Sequence, residues 1–234
     1  MSSNQETTLS QIDRRSAIRT IALSLTSLGV LDLEAAQHVH EAATAEKTAT
    51  GKYKVKAFQA EEYRTLRRLA ELIVPVDKMS GSALDAGAPE FIDLLCSQNA
   101  RLAEIYHGGL AWLDAEMRKR GGRRFVEASE ADQQAMLDDL VKAEAAESAR
   151  RGEELVYQRS GVYQDFTGYT TQRSGDLGPG LKFFDWVRKM TVDAFYTSPI
   201  GVKDLGYNGN GAYTKYVVPT EAIDYVMKRS PFKA

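Results

Sequence analysis

The chain has very little cysteine and histidine, the side chains on which many metal and redox centres depend. Its 234 residues include one cysteine and three histidines. A lone thiol excludes an internal disulfide, haem attachment through a Cys-x-x-Cys-His motif and an iron–sulfur cluster held by this chain's cysteines. His38 and His40 form a His-x-His pair that would bind metal only weakly, and His107 stands alone. We therefore predict no catalytic, cofactor-binding or metal site, and a buried Cys96.

Long apolar runs and an excess of positive charge are also lacking. The most N-terminal apolar run, residues 20–33, is shorter than the roughly 20 residues that a membrane span needs. The formal net charge is −2, whereas binding to a phosphate backbone requires a clustered basic face. The one basic cluster, residues 119–124, lies at a predicted helix end, where cations complement the helix dipole. We predict no nucleic-acid partner.

The first 45 residues have the features of an export signal. Arg14 and Arg15 form a twin-arginine pair, the apolar run follows, and Ala43 and Ala45 provide small residues at signal-peptidase spacing. This pattern predicts a twin-arginine signal over residues 1–45, cleavage after Ala45 and a periplasmic protein. The alternative interpretation is an amphipathic helix that belongs to the mature protein.

The rest of the chain has helical periodicity and no sustained strand alternation. Apolar residues recur at intervals of three and four, as on one face of a helix. Proline and glycine mark several of the ends. The sequence therefore predicts an all-α protein with one helical domain over residues 58–234. The predicted helices cover about 59–74, a short stretch starting at Pro89, 100–120, 129–147, 181–196 and 220–229.

Four stretches lack this periodicity. Residues 46–57 are polar and are predicted to be a linker. Residues 77–87 form a loop in which acidic side chains are expected to stabilise turns, with cation binding as the weaker alternative. Residues 148–179 are predicted to be a long irregular loop, and loops of that length are usually functional or mobile. Residues 204–211 form a Gly/Asn/aromatic segment that is expected to make turns.

Several segments together resemble subunit 3, the small or gamma subunit, of gluconate 2-dehydrogenase and related sugar dehydrogenases. The resemblance covers roughly residues 58–215, and the order and spacing of its motifs are more specific than any one of them. Its motifs are Leu-Arg-Arg-Leu-Ala-Glu-Leu-Ile-Val-Pro-Val-Asp at 66–77, Asp-Ala-Gly-Ala-Pro-Glu-Phe-Ile-Asp at 85–93, Phe183-Phe184 leading to Thr191, Phe-Tyr-Thr-Ser-Pro at 195–199 and Leu-Gly-Tyr-Asn-Gly at 205–209.

This resemblance implies a function that depends on a partner. In such complexes the large subunit is a flavoprotein of the glucose–methanol–choline type that carries FAD and oxidises a sugar or sugar acid. A cytochrome c subunit with haem c accepts the electrons where it is present. The small subunit is expected to hold no cofactor, to assist maturation, stability and export of the flavoprotein, and to meet the membrane only through the complex or an uncleaved signal.

Aromatic residues near the C-terminus are the candidates for contact with the partner. We expect Trp186, Phe195, Tyr196 and Tyr207 to contribute, because aromatic side chains often dominate interfaces. Core packing is the competing explanation, and Tyr207, among turn residues, is the better interface candidate. Two other functions stay open: a stand-alone exported enzyme that uses carboxylates or a metal, and a periplasmic binding module.

Overall fold

The computed structural model describes residues 33–151, 175–206 and 218–229, although nothing is described of the side chains of 33–34 and 147–151. Within these ranges the secondary structure is helical, with no strand, which confirms the predicted all-α class. A 3₁₀ turn, Phe125–Glu127, lies between the helices Ala100–Gly121 and Glu130–Arg151. The α-helices are α1 Leu33–Thr50, α2 Ala60–Ile73, α3 Ala88–Cys96, α4 Ala100–Gly121, α5 Glu130–Arg151, α6 Gly178–Tyr196, α7 Pro199–Asp204 and α8 Thr220–Arg229.

The helix ends follow from local side-chain chemistry. Gln59 and Glu62 form a capping box at the start of α2. The side chain of Asn99 accepts a hydrogen bond from the Leu102 amide at the start of α4, which satisfies one of the free N–H groups there. Gly122 ends α4 with a φ of 73°, a left-handed conformation that glycine adopts without a steric penalty. The boundaries predicted from sequence are confirmed to within one residue for α2 and α4, which have these caps, and they are also confirmed for α8.

Helix α6 lies at the centre of the domain and packs against α2, α3, α4, α5 and α7. Its predicted apolar stripe, which includes Phe183 and Met190, is buried as expected. Phe184 and Trp186 lie off that stripe and are also buried, because neighbouring helices cover α6 on several sides. A helix that is apolar around most of its circumference is typical of this central position.

Two glycines allow α4 and α6 to approach closely. A Cβ atom added at Gly109 would lie 2.0 Å from Cγ of Phe183, and one at Gly180 would lie 2.0 Å from Cζ3 of Trp112. Both distances are far below van der Waals contact, so neither position has room for a methyl group. The aromatic rings occupy the space that side chains would otherwise fill.

The structure differs from the predicted elements at several places. Residues 46–50, expected in a linker, form the last turns of α1, and α7 was not predicted because Pro199 was interpreted only as a stop signal. Pro199 instead occupies the first turn of α7, where its missing N–H needs no partner. The predicted loop 148–179 is shorter at both ends, since α5 continues to Arg151 and α6 begins at Gly178. Residues 152–174 and 207–217 lie outside the described ranges.

Candidate functional site

Asp93 occupies a buried position at which one carboxylate holds a whole segment of chain. Its side chain is fully buried on α3. Oδ2 accepts hydrogen bonds from the Tyr53 hydroxyl at 2.7 Å and the Lys56 amide at 2.9 Å. Oδ1 accepts from the amides of Ala57 at 2.8 Å and Phe58 at 3.3 Å. The predicted linker therefore ends in a segment, residues 53–58, four of whose residues donate hydrogen bonds to one buried acid.

The Tyr53 hydroxyl is held in its donating form. Burial, together with the adjacent Asp93 carboxylate, raises the pKa of Tyr53 above its ordinary value. Ionisation would place two negative charges side by side in a buried site, which is strongly unfavourable. The Tyr53–Asp93 contact is consequently a stable hydrogen bond and not a proton-transfer pair.

Glu90, one turn before Asp93, connects three helices. Its side chain is 4% exposed. Oε1 lies 2.8 Å from Nζ of Lys47 on α1 and 3.9 Å from Nη1 of Arg67 on α2. A buried carboxylate needs such cationic partners, because desolvation of an unpaired charge is costly. This pairing of Glu90 with α1 and α2 was not predicted from the sequence.

An open cleft of about 1100 Å³ lies between α1 and α7. Its lining is mostly apolar surface with a few polar side chains, a combination that is common in sites that bind ligands. One wall is α1, another is the turn before α3, and the third is α7 with the residues that cap it. Lining residues include Gln37, His40, Thr44, Asp85, Thr197 and Ile200.

His40 lies at the inner edge of this cleft and is mostly buried, at 8% exposure. Nε2 lies 3.2 Å from Oγ1 of Thr197, and the ring centroid lies 4.8 Å from that of Phe91 on α3. Burial lowers the pKa of His40 to about 4, opposed in part by a hydrogen bond with the Ala194 backbone. The imidazole is therefore neutral at neutral pH and joins α1 to α3 and α6.

Three of the four predicted interface residues lie within the described ranges. Trp186 and Phe195 are 3% and 1% exposed, so their side chains belong to the core of this chain and offer almost no surface to a partner. Tyr196 is 38% exposed and packs edge-on against Phe195. It directly precedes Thr197 of the cleft wall, and it remains the interface candidate within the described part. Tyr207 lies outside that part.

The residues of the predicted export signal are divided between described and undescribed parts of the chain. Arg14 and Arg15 lie outside the described residues. Ala43 and Ala45 lie within α1, where Ala43 is buried at 6% exposure and Ala45 is exposed. The bond after Ala45 is therefore in the interior of a helix that packs on the domain.

The remaining candidates have structural roles. Asp77 accepts hydrogen bonds from the amides of Met79 and Ser80, and the hydroxyl and amide of Ser82 donate to Asp85. These bonds lower the pKa of both acids and confirm the turn-stabilising interpretation. Cys96 is buried as predicted, and burial raises the pKa of its thiol.

The described residues contain neither a candidate metal site nor a candidate membrane span. No three His, Cys, Asp or Glu side chains there are grouped so that they could hold a metal ion. No helix in those ranges has both the length and the apolar character to cross a bilayer.

Comparison with known proteins identifies the family. A family model described as gluconate 2-dehydrogenase subunit 3 matches residues 60–214. The chain belongs to this family. Neither the curated proteins nor the solved structures give a match. The matched range agrees with the resemblance over 58–215, and it includes α2 to α7 and both buried acids of α3.

Membership in the subunit 3 family makes the chain a component of a multi-subunit dehydrogenase. The buried acids at residues 90 and 93 lie in the segment that carries the family resemblance, and they hold α1, α2 and residues 53–58 together. A sequence signal for their role exists: α3 has two acids one turn apart among four large apolar residues. Acids in so apolar a helix must be buried, and buried acids need partners.

Proposed function

We propose that the chain is the non-catalytic small subunit of a periplasmic flavin-dependent dehydrogenase complex that oxidises a sugar or sugar acid. The chain assists maturation and stability of a glucose–methanol–choline type flavoprotein and its export by the twin-arginine route. The observation that carries the proposal is the family match over residues 60–214.

A physical argument connects the export signal to the partner. A flavoprotein must fold around its FAD before it crosses the membrane, and the twin-arginine route accepts folded cargo. One signal, with Arg14 and Arg15, on a bound small subunit can then carry both chains. The FAD, and haem c where a cytochrome c subunit is present, belong to the partners in this proposal.

The surface that we assign to the flavoprotein includes the cleft between α1 and α7 and the exposed ring of Tyr196. A partly exposed aromatic side chain beside a concave surface is the kind of anchor that dominates many interfaces. We expect Tyr196→Ala to weaken the complex by about 2 kcal/mol, or roughly 30-fold in Kd. Tyr225→Ala is the control, since Tyr225 is 58% exposed on α8, beyond the matched range, and should leave the affinity unchanged.

The experiment is co-production of the full chain with a glucose–methanol–choline type flavoprotein from the same organism, followed by co-purification and a sugar-oxidation assay. The proposal predicts a stable complex, activity only in fractions that contain the flavoprotein, and weaker association for Tyr196→Ala alone. Oxidation by the isolated chain would favour the stand-alone enzyme instead. A chain that purifies alone and binds a small ligand would favour the binding module.

A further inference from the structure

Helix α1 has a continuous buried face that packs on the domain. Ala36, Val39, His40 and Ala43 follow one another at spacings of three, one and three, and they are 0%, 0%, 8% and 6% exposed. Helix α1 packs mainly against α3. Small residues on this face let the two helix backbones lie close together, so a large part of the face is removed from water.

Polar contacts fix the middle of α1 and its C-terminal part. His40 contacts Thr197 and the Phe91 ring. Lys47 pairs with the buried Glu90 at 2.8 Å, and Glu46 accepts a hydrogen bond from the Lys54 amide at 3.1 Å. Removal of α1 up to Ala45 would expose the apolar surface of α3 and would leave a cleft without one of its walls.

A cleavage after Ala45 would also require α1 to unfold locally. Proteases generally bind the scissile segment as an extended strand, which makes main-chain hydrogen bonds to the enzyme. The peptide at Ala45 is inside a helix that ends at Thr50, so its amide and carbonyl groups are already used. Opening it would separate the Ala36–Ala43 face from α3, at a free-energy cost set by that packing.

We propose that helix α1 is a permanent part of the folded domain and stays on the chain after export. Any processing of the signal then occurs before Leu33, and the bond after Ala45 is not the cleavage site. The inference rests on the proposed function in so far as it assumes export. It assigns to residues 33–50 a role in the mature protein: they carry one wall of the cleft and one partner of Glu90.

The first test is the N-terminus of the exported chain. The full chain with a C-terminal tag is produced together with the flavoprotein, the periplasmic fraction is collected, and its intact mass and N-terminal sequence are measured. We expect an N-terminus at or before Leu33. An exported chain that begins at Glu46 would overturn the inference. A chain that stays in the cytoplasm would instead contradict the proposed export.

The second test does not depend on export. Hydrogen exchange is measured on the purified full chain, with α8 as an internal reference because none of its residues is buried. Amides between residues 40 and 47 should exchange at least about tenfold more slowly than those of α8, the factor that corresponds to 1.4 kcal/mol. Equal exchange rates in the two helices would overturn the inference whether or not the chain is exported.

A matched pair of variants makes the second test specific. Val39→Asp places a charge on the buried face, whereas Gln37→Asp places it on the exposed face of the same helix. We expect Val39→Asp to remove the protection of α1 and Gln37→Asp to retain it. Equal protection in both variants would show that α1 does not pack on the domain as described.

Discussion

At the scale of single residues, His40 gives the fold a dependence on pH. Its pKa is lowered by burial from 6.5 to about 4, so the unfolded chain binds a proton that the folded chain excludes. The contribution of His40 to the free energy of unfolding is therefore fully present above pH 6.5. It falls as the pH decreases towards 4, by up to about 1.4 kcal/mol per pH unit. His40→Gln should flatten the slope of unfolding free energy between pH 6.5 and 5.

The control for this prediction lies on the same helix. His38 is exposed to solvent, so His38→Gln should retain the slope of the parent chain. Urea unfolding at half-unit pH intervals measures all three proteins. The same slope in His40→Gln and in the parent would show that the buried imidazole does not cause the pH dependence.

Asp93 gives a second prediction at this scale. In Asp93→Asn the side-chain carboxamide has one acceptor oxygen in place of two. Main-chain N–H donors of the 53–58 segment then lose their partner. Because hydrogen bonds to a charged group contribute about 1.5–3 kcal/mol, we expect a loss of stability in that range. Asp138→Asn, at an exposed site on α5, should change stability by less than about 0.5 kcal/mol.

The Asp93 variant should also release its segment locally. Trypsin should cut faster after Lys54 and Lys56 in Asp93→Asn than in the parent chain, and no faster in Asp138→Asn. Unchanged cleavage at both lysines would contradict the role that we assign to this carboxylate.

Single residues also show where sequence reasoning stops. The motif at 85–93 contributes to the family resemblance, but neither Glu90 nor Asp93 could be paired from sequence, because their partners lie 23 to 43 positions away in other elements. Trp186 and Phe195 were predicted at an interface because aromatic side chains often dominate interfaces. The packing of several helices around α6 buries both, and only the three-dimensional arrangement shows this.

At the scale of elements, the contact between α4 and α6 depends on Gly109, and the adjacent Gly108 provides a control in the same helix. Gly109 faces Phe183, whereas a Cβ at Gly108 would meet nothing within 4 Å. Gly109→Ala should lower the unfolding free energy by about 1–3 kcal/mol through overpacking. Gly108→Ala should raise it by about 0.5–1 kcal/mol, because alanine favours the helix.

Chemical denaturation of both glycine variants tests this contact. The two substitutions have the same chemistry in the same helix, so opposite signs can come only from their surroundings. Stabilisation by Gly109→Ala would show that α4 and α6 do not approach each other as described.

Helix α1 illustrates why elements are predicted unequally well. Long amphipathic helices such as α4 were predicted closely, because five apolar residues trace one stripe. The small residues of α1 suit both a signal-peptidase site and close helix packing, so the sequence alone does not separate the two interpretations. Helix α7 is only six residues long, too short for periodicity to reveal it.

At the scale of the whole molecule, the domain is an assembly of helices around α6 that belongs to a dehydrogenase subunit family. We propose that this chain acts through a flavoprotein partner and carries it across the membrane. Export of the flavoprotein should then depend on Arg14 and Arg15, which belong to this chain and not to the flavoprotein. Arg14→Lys with Arg15→Lys tests the pair, and Arg19→Lys is the control with the same chemistry.

The most direct measurement is the amount of flavoprotein in the periplasm of cells that produce it with each form of this chain. We predict normal export with the parent chain and with Arg19→Lys, and flavoprotein retained in the cytoplasm with the double variant or without the chain. If the flavoprotein reaches the periplasm equally well when this chain is missing, the proposed role of the chain in export is contradicted.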